Sequence, residues 1–375
     1  MPRTEMKNSI RDAAQPTPRP IVTLGDIAVR CGVSKMTVSR ALHGVASRVS
    51  KAKAAEIAGV AAELGYSIGA GHAARQLVMR KQGQRLLNHL IAVFMPLSLF
   101  DLPFFLNLYR GIIDGMQQER FGMLTHYSTA TDANVDLLPF YERGEVDGAL
   151  VLADPRHFQP LLSRLRAASG FGACPVVSLL NTFPGCAAVV ANDRQGGYEA
   201  VMHLLALGHR RILHFWDRNG EIHLQRYMGA MQACAEYGLD GDAVLVGGMP
   251  WGYADNVRAA PRFAAAWEAF PGCTAILAPN DMGAVWIADF LAARGLRVPE
   301  DVSLIGYDDS DPLLDPRGRN LLTTVQLPLR EIGYEAARLV VRQVREATPT
   351  AQVVALPTAL QIRGTTAPPR VASSH

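Results

Sequence analysis

Six polar residues in the second half of this 375-residue chain have the types and spacing of a binding site. Asp193 follows the run AVVAN, Asn280 and Asp281 follow AILAP, Asp308 and Asp309 follow SLIGY, and Arg226 enters a helical stretch. Carboxylates accept hydrogen bonds from hydroxyls, and a guanidinium holds a ring oxygen or a carboxylate at two points. Gathered in one cleft, such groups read a polyol. The competing reading is that each loop-end acid caps the next helix. It accounts for Asp193 and Asp281 as well as a ligand does, and less well for Arg226 and Asp308.

A second set lies near the start, in GVSKMTVSRAL. Thr23 and Asp26 have capping-box spacing, which predicts a helix over 24–30 with Ile27 and Ala28 inward and a turn at Gly32. Ser34 caps a second helix that buries Val38, Ala41 and Leu42 and shows Lys35, Met36, Thr37, Ser39 and Arg40 on its other face. Ser50 caps a third, whose stripe Ile57, Val60, Ala61 and Leu64 runs to about Gly65. Two short helices across a glycine turn, backed by a third, form a helix-turn-helix. Its second helix enters the major groove, where base edges give sequence and phosphates give position.

Charge supports this. Residues 1–89 carry about 14 Lys and Arg against 5 Asp and Glu, about +9, leaving about −6 elsewhere. A solvated helix in a small bundle would not need that excess.

The elements that must position the six residues alternate. HLIAVFMP, VDGALVLA, CPVVSLL, RRILHFW, AVLVGG, CTAILAPND and DVSLIGYDD read as buried parallel strands. FFLNLYRGIIDGMQQE, QGGYEAVMHLLALGH, MGAMQACAEYG and MGAVWIADFLAARGL read as the helices between them. Strand then helix, repeated, is doubly wound α/β, with ligands beyond the carboxyl ends of the strands.

Other chemistries are not indicated. The five cysteines are scattered, without a Cys-x-x-Cys pair, so neither a disulfide framework nor a metal site is expected. DDSDPLLD lacks the glycine and terminal Glu of a calcium loop, and His209 and His214 are not spaced for one helix face. GAGHAA imitates a dinucleotide fingerprint, but a helix and turn precede it where a strand is required. No enzyme activity and no cofactor are expected. The N-terminal stretch has no apolar signal region, and no run offers the roughly 20 apolar residues of a membrane span, which predicts a cytoplasmic protein.

VTLGDIAVRCGVSKMTVSRALHG, followed by RVSKAKAAEIAGVAAELGY, closely resembles the head of the lactose/galactose-repressor family of bacterial transcription regulators. The resemblance implies that Lys35 and Met36 read bases, that Arg40 contacts a base or phosphate, and that Thr37 and Ser39 hold the backbone. Thr23, Ser34 and Ser50 join the DNA-facing set as caps. Where the family usually has Thr-Arg this chain has Lys53-Ala54, which moves a phosphate contact to Lys51 or Lys53. After Tyr66 the family's hinge helix pushes a leucine into the minor groove, kinking the duplex. In YSIGAGHAARQL that leucine is Leu77, with Arg75 beside it. The family's Pro-Asn start is missing, and Gly69 and Gly71 would each cost about 1 kcal/mol in a helix interior, so the hinge helix starts at or after Gly71.

The same family's effector domain resembles a periplasmic sugar-binding protein of two lobes. Its motifs recur here as DLPFFLNLYRGI, NDRQGGYEAVMHLLALGHRRI, RYMGAMQA, PNDMGA, GLRVPEDVSLIGYDD and LLTTVQLPLREIGYEAA. By that resemblance Asp193, Arg226, Asn280 and Asp308 contact an effector, with Phe104, Trp216 and Trp251 as walls.

The expected architecture is an all-α helix-turn-helix head on an α/β, periplasmic-binding-protein-like body of two doubly wound lobes. The expected parts are a tail at 1–21, the head at 22–66, a hinge at 67–87, a body at 88–364 and a tail at 365–375. The first lobe takes 88–207 and 326–345, the second 208–325 and 346–364. The implied function is a ligand-controlled repressor, a homodimer or dimer of dimers on double-stranded, near-palindromic operator DNA. KMTVSR resembles gluconate-type members, which favours a sugar or sugar acid as effector. The alternatives are a corepressor-dependent regulator with a purine-like ligand and a stand-alone sugar-binding protein.

Overall fold

The computed structural model describes residues 22–42, 49–64, 87–96, 103–128, 145–152, 175–216, 221–239, 244–248 and 256–370. The chain divides into two compact units, Met1–Leu86 and Leu87–His375. The expected hinge helix, with Arg75 and Leu77, lies outside the described residues, as do Trp251 and the tail 1–21.

The first unit holds helices α1 (Leu24–Cys31), α2 (Lys35–Leu42) and α3 (Lys51–Glu63). The capping box is formed: the Thr23 hydroxyl accepts from Gly25 N and Asp26 N, and Asp26 Oδ2 accepts from Thr23 N at 2.7 Å. Gly32 closes α1 at φ 62°, a left-handed backbone that costs glycine little. Ile27, Ala28, Cys31, Val38, Ile57 and Ala61 make the core between the three helices.

The second unit contains two six-stranded sheets. Contributing to the first are β1 (Leu90–Pro96), β2 (Gly122–Ser128), β3 (Gly148–Val151), β4 (Val176–Leu179) and β5 (Ala187–Ala191), with α4 (Pro103–Glu119) between β1 and β2. The chain continues through α5 (Asp193–Ala206), β6 (Ile212–Trp216), α6 (Glu221–Glu236), β7 (Val244–Gly248), α7 (Asn256–Ala269), β8 (Ala275–Leu277), α8 (Asp281–Ala292) and β9 (Ser303–Asp308). It ends in β10 (Thr323–Gln326), α9 (Leu329–Glu346), β11 (Val353–Leu356) and β12 (Ala359–Gln361). Among the described helices none is long and apolar enough to cross a membrane.

The sheet orders are β11-β5-β4-β3-β1-β2 and β12-β10-β9-β8-β6-β7. Every pairing is parallel except β10 with β12. Each sheet therefore repeats one doubly wound order, with its reversal at β1/β3 in the first and β6/β8 in the second. Such switch points open a crevice at the strands' carboxyl ends.

The lobe boundaries differ from those expected. Helix α5 packs on α6, β8, β10 and β12, so the chain leaves the first lobe at Asn192 rather than 207. Strand β11 pairs with β5 in the first sheet, although 346–364 was assigned to the second lobe. The expected tail at 365–375 is also corrected up to Arg370. Thr365 Oγ1 donates to Leu304 O at 2.7 Å, Ala367 N to Ser303 Oγ at 3.0 Å, and Arg370 pairs with Asp301. Both lobes share one local strand-helix rhythm, so pattern alone cannot tell which sheet a given element joins.

Candidate functional site

On the head, Ser34 Oγ accepts from Thr37 N at 3.1 Å and bonds Thr37 Oγ1 at 2.9 Å, which fixes the first turn of α2. That turn presents Ser34, Lys35 and Met36 exposed, with Thr37, Ser39 and Arg40 half-buried beside them. Met36 is 61% exposed. Ser50 Oγ caps α3 through Lys53 N at 3.3 Å, and exposed Lys51 follows. Lys53 Nζ lies 2.7 Å from Glu56, a surface pair worth about 0–1 kcal/mol that a phosphate can displace. Thus Thr23, Ser34 and Ser50 act first as caps. Their hydroxyls order the helix starts that carry Lys35, Met36, Thr37, Ser39, Arg40, Lys51 and Lys53.

In the second lobe, Arg226 is 6% exposed and anchors the polar end of the sheet. Its Nε donates to Asp193 Oδ1 at 2.8 Å, Nη1 to the Pro279 carbonyl at 2.8 Å, and Nη2 to Asp308 Oδ1 at 3.4 Å. The guanidinium stacks 3.5 Å from the Tyr307 ring centroid, and the Tyr307 hydroxyl donates to Asp193 O. Burial works against the charge on Arg226, but the two carboxylates more than offset it and raise its pKa. Burial raises Asp193 in turn, with Arg226 opposing. Asp308 has φ 111°, a strained conformation for a residue with a side chain. These groups come from the ends of β8 and β9 and the starts of α5 and α6, around the β6/β8 switch point.

The capping explanation fails for Asp193 and Asp281. Asn192 is the cap of α5, its Oδ1 accepting from Gln195 N, which leaves Asp193 to Arg226. Asn280 caps α8, its Oδ1 accepting from Gly283 N at 2.7 Å, so its amide NH2 is what it can offer a ligand. Asp281 is tied into the protein: Oδ1 accepts from Thr324 Oγ1 at 2.5 Å and Oδ2 from Ser310 N at 2.8 Å. Burial pushes its pKa up to about 7. Asp309 pairs with Arg363 at 2.8 Å. Phe104 is 6% exposed and packs edge-to-face on Phe105 in the first lobe. Trp216 ends β6.

Two polar neighbours of Arg226, Tyr307 and His223, were missed from sequence, and a third, His214, was weighed only for its spacing. Tyr307 sits inside SLIGYDD and His214 inside ILHFW, where apolar neighbours mask a polar role, and His223 lies on the helix face of Arg226. A histidine within a buried strand run was the available signal.

Residues 23–67 match the family described as bacterial regulatory proteins, lacI family, and residues 201–366 match the periplasmic binding protein-like domain. The transcriptional regulator DegA of Bacillus subtilis (strain 168) is 29% identical over 92% of this chain and 98% of its own. The structure of a transcriptional regulator CelR–cellobiose complex aligns at TM-score 0.63 and 26% identity, covering 92% of this chain and all of that one. A ribose-bound LacI-family regulator from Enterococcus faecium aligns at 0.60 and 25% identity, over 75% of this chain and all of its own. With a lacI-type head, a periplasmic-binding-protein-like body and relatives along its length that are themselves regulators, the chain is a DNA-binding transcriptional regulator.

Proposed function

We propose that the protein is a repressor that works in the cytoplasm as a homodimer on a near-palindromic operator, or as a dimer of such dimers. It is released or tightened by a small effector bound at the carboxyl ends of the second sheet. The carrying observation is Arg226, buried between Asp193 and Asp308 at the switch point. An arginine between two carboxylates supplies donors and acceptors in one plane, the pattern a polyhydroxylated ring needs. Asn280 adds an amide, and Phe104 and Trp251 are its expected walls. A sugar or sugar acid is the effector class, supported by the cellobiose and ribose in the two structures named above.

Lys35 and Met36 read bases, Arg40 contacts a base or phosphate, and Thr23, Ser34, Thr37, Ser39, Ser50, Lys51 and Lys53 hold the backbone. Arg75 and Leu77 reach the minor groove from the hinge. The experiment is an operator titration using DNA selected by the protein from a random pool. Arg40→Ala should weaken binding more than ten-fold. Arg226→Ala should bind operator and lose the response to every sugar and sugar acid that shifts the wild type. Wild-type behaviour from both variants would sink the assignments.

A further inference from the structure

His214 lies in the middle of β6, 2% exposed, and neither of its ring nitrogens has a hydrogen-bond partner. Its strand neighbours Leu213 and Phe215 face the opposite side, where Phe215 packs on Phe263. Alternation therefore turns His214 toward α6, and its ring stacks on Tyr227 with centroids 6.3 Å apart. From α6 comes His223, whose buried Nδ1 is also unpartnered. His223, Arg226 and Tyr227 are spaced i, i+3, i+4 and share one helix face. Three buried ring nitrogens thus lie within electrostatic reach of the Arg226 guanidinium.

A buried polar group left without a partner is destabilising, and native folds retain few of them without reason. Burial and the charge of Arg226 hold both imidazoles neutral, each near pKa 3. A neutral imidazole offers one donor and one acceptor, which is also what a hydroxyl offers. A carboxylate can only accept, and here it would sit near Asp193 and Asp308, with Arg226 already facing both.

We propose that His214 and His223 form a polar recess beside Arg226 that takes a hydroxyl of the effector, and that the effector is a neutral polyol rather than a sugar acid. The proposal rests on the reading of the Arg226 cluster as the effector site. It makes His214 a specificity residue whose cost to the free protein is recovered on binding.

The test is calorimetric titration of the full chain with D-glucose, D-galactose, D-ribose and cellobiose, and with D-gluconate and D-galacturonate. At least one neutral sugar should bind, at least ten-fold tighter than either acid. His214→Leu should weaken that sugar ten-fold or more while its Tm stays at or above wild type, because unpaired polar atoms have been removed. A histidine with a merely structural role would lower Tm on replacement. His214→Gln, which restores a donor and an acceptor, should recover part of the affinity. Operator binding without sugar verifies that the variants are folded. Tighter binding of an acid, wild-type affinity in His214→Leu, or no binding of any neutral sugar would overturn the proposal. Wild-type sugar affinity in Arg226→Ala would instead overturn the cleft reading beneath it.

Discussion

Asp281 and His214 are both buried in the second lobe, and their titrations pull in opposite directions. Asp281 is raised from 3.8 to about 7 in the folded chain, so it holds its proton more tightly than when unfolded. Its contribution is present below about pH 4 and is lost as pH climbs toward 7. His214 is lowered from 6.5 to about 3, so its contribution is present above pH 6.5 and is lost as pH falls toward 3. Measured as Tm against pH, Asp281→Asn should flatten the decline between pH 4 and 7. His214→Leu should flatten the acid limb below 6.5. Unchanged limbs in both variants would contradict these assignments. Arg226→Ala leaves two buried carboxylates without their cation and should cost about 3–5 kcal/mol, so its operator titration must run well below its reduced Tm.

Two helix pairs are joined by glycines that nothing larger can replace. A Cβ on Gly111 of α4 would run into the Arg330 carbonyl of α9, and one on Gly333 of α9 into that of Leu108. In the second lobe a Cβ on Gly197 of α5 would run into the Arg226 carbonyl, and one on Gly229 of α6 into that of Arg194. Backbone cannot yield as a side-chain tip does, so either alanine pushes the helices apart. Gly111→Ala and Gly197→Ala should both lower stability by about 1–3 kcal/mol in denaturant titrations. Only Gly197→Ala should also shift α6 against Asp193 and weaken the effector response. Equal effector affinities in the two variants would sever that link.

Legibility follows similar lines. The head's three caps and apolar stripes were readable because each is a local spacing rule, and the central strands because they are unbroken apolar runs. Strand β2, GMLTHYS, was missed because it is an edge strand with polar residues. Helix α7 hid behind Pro261. The candidate site's Asp193 and Asp308 were readable as polar residues at strand ends, and Arg226 as a cation entering the helix after a strand. The carbonyl of Pro279 and the stacking of Tyr307 were not, since they arise only once β8, β9 and α6 converge.

At the scale of the whole molecule, effector and operator are linked through one chain. If an effector lowers operator affinity by some factor, operator must lower effector affinity by the same factor. Calorimetric titration of effector into free and operator-bound protein should return equal factors. A mismatch would mean that a further state or a second ligand site takes part.

The first sheet draws its last edge strand, β11, from residues 353–356, and helix α9 covers β3, β4 and β5 from residues 329–346. On the ribosome, the head can close once α3 emerges, whereas the first lobe must wait until the second has been translated. Nascent chains stalled before residue 329 would carry a folded head on a body whose β3, β4 and β5 lack their α9 cover, a target for chaperones. For this architecture the order of synthesis differs from the order of completion: the lobe begun first is among the last parts to be finished.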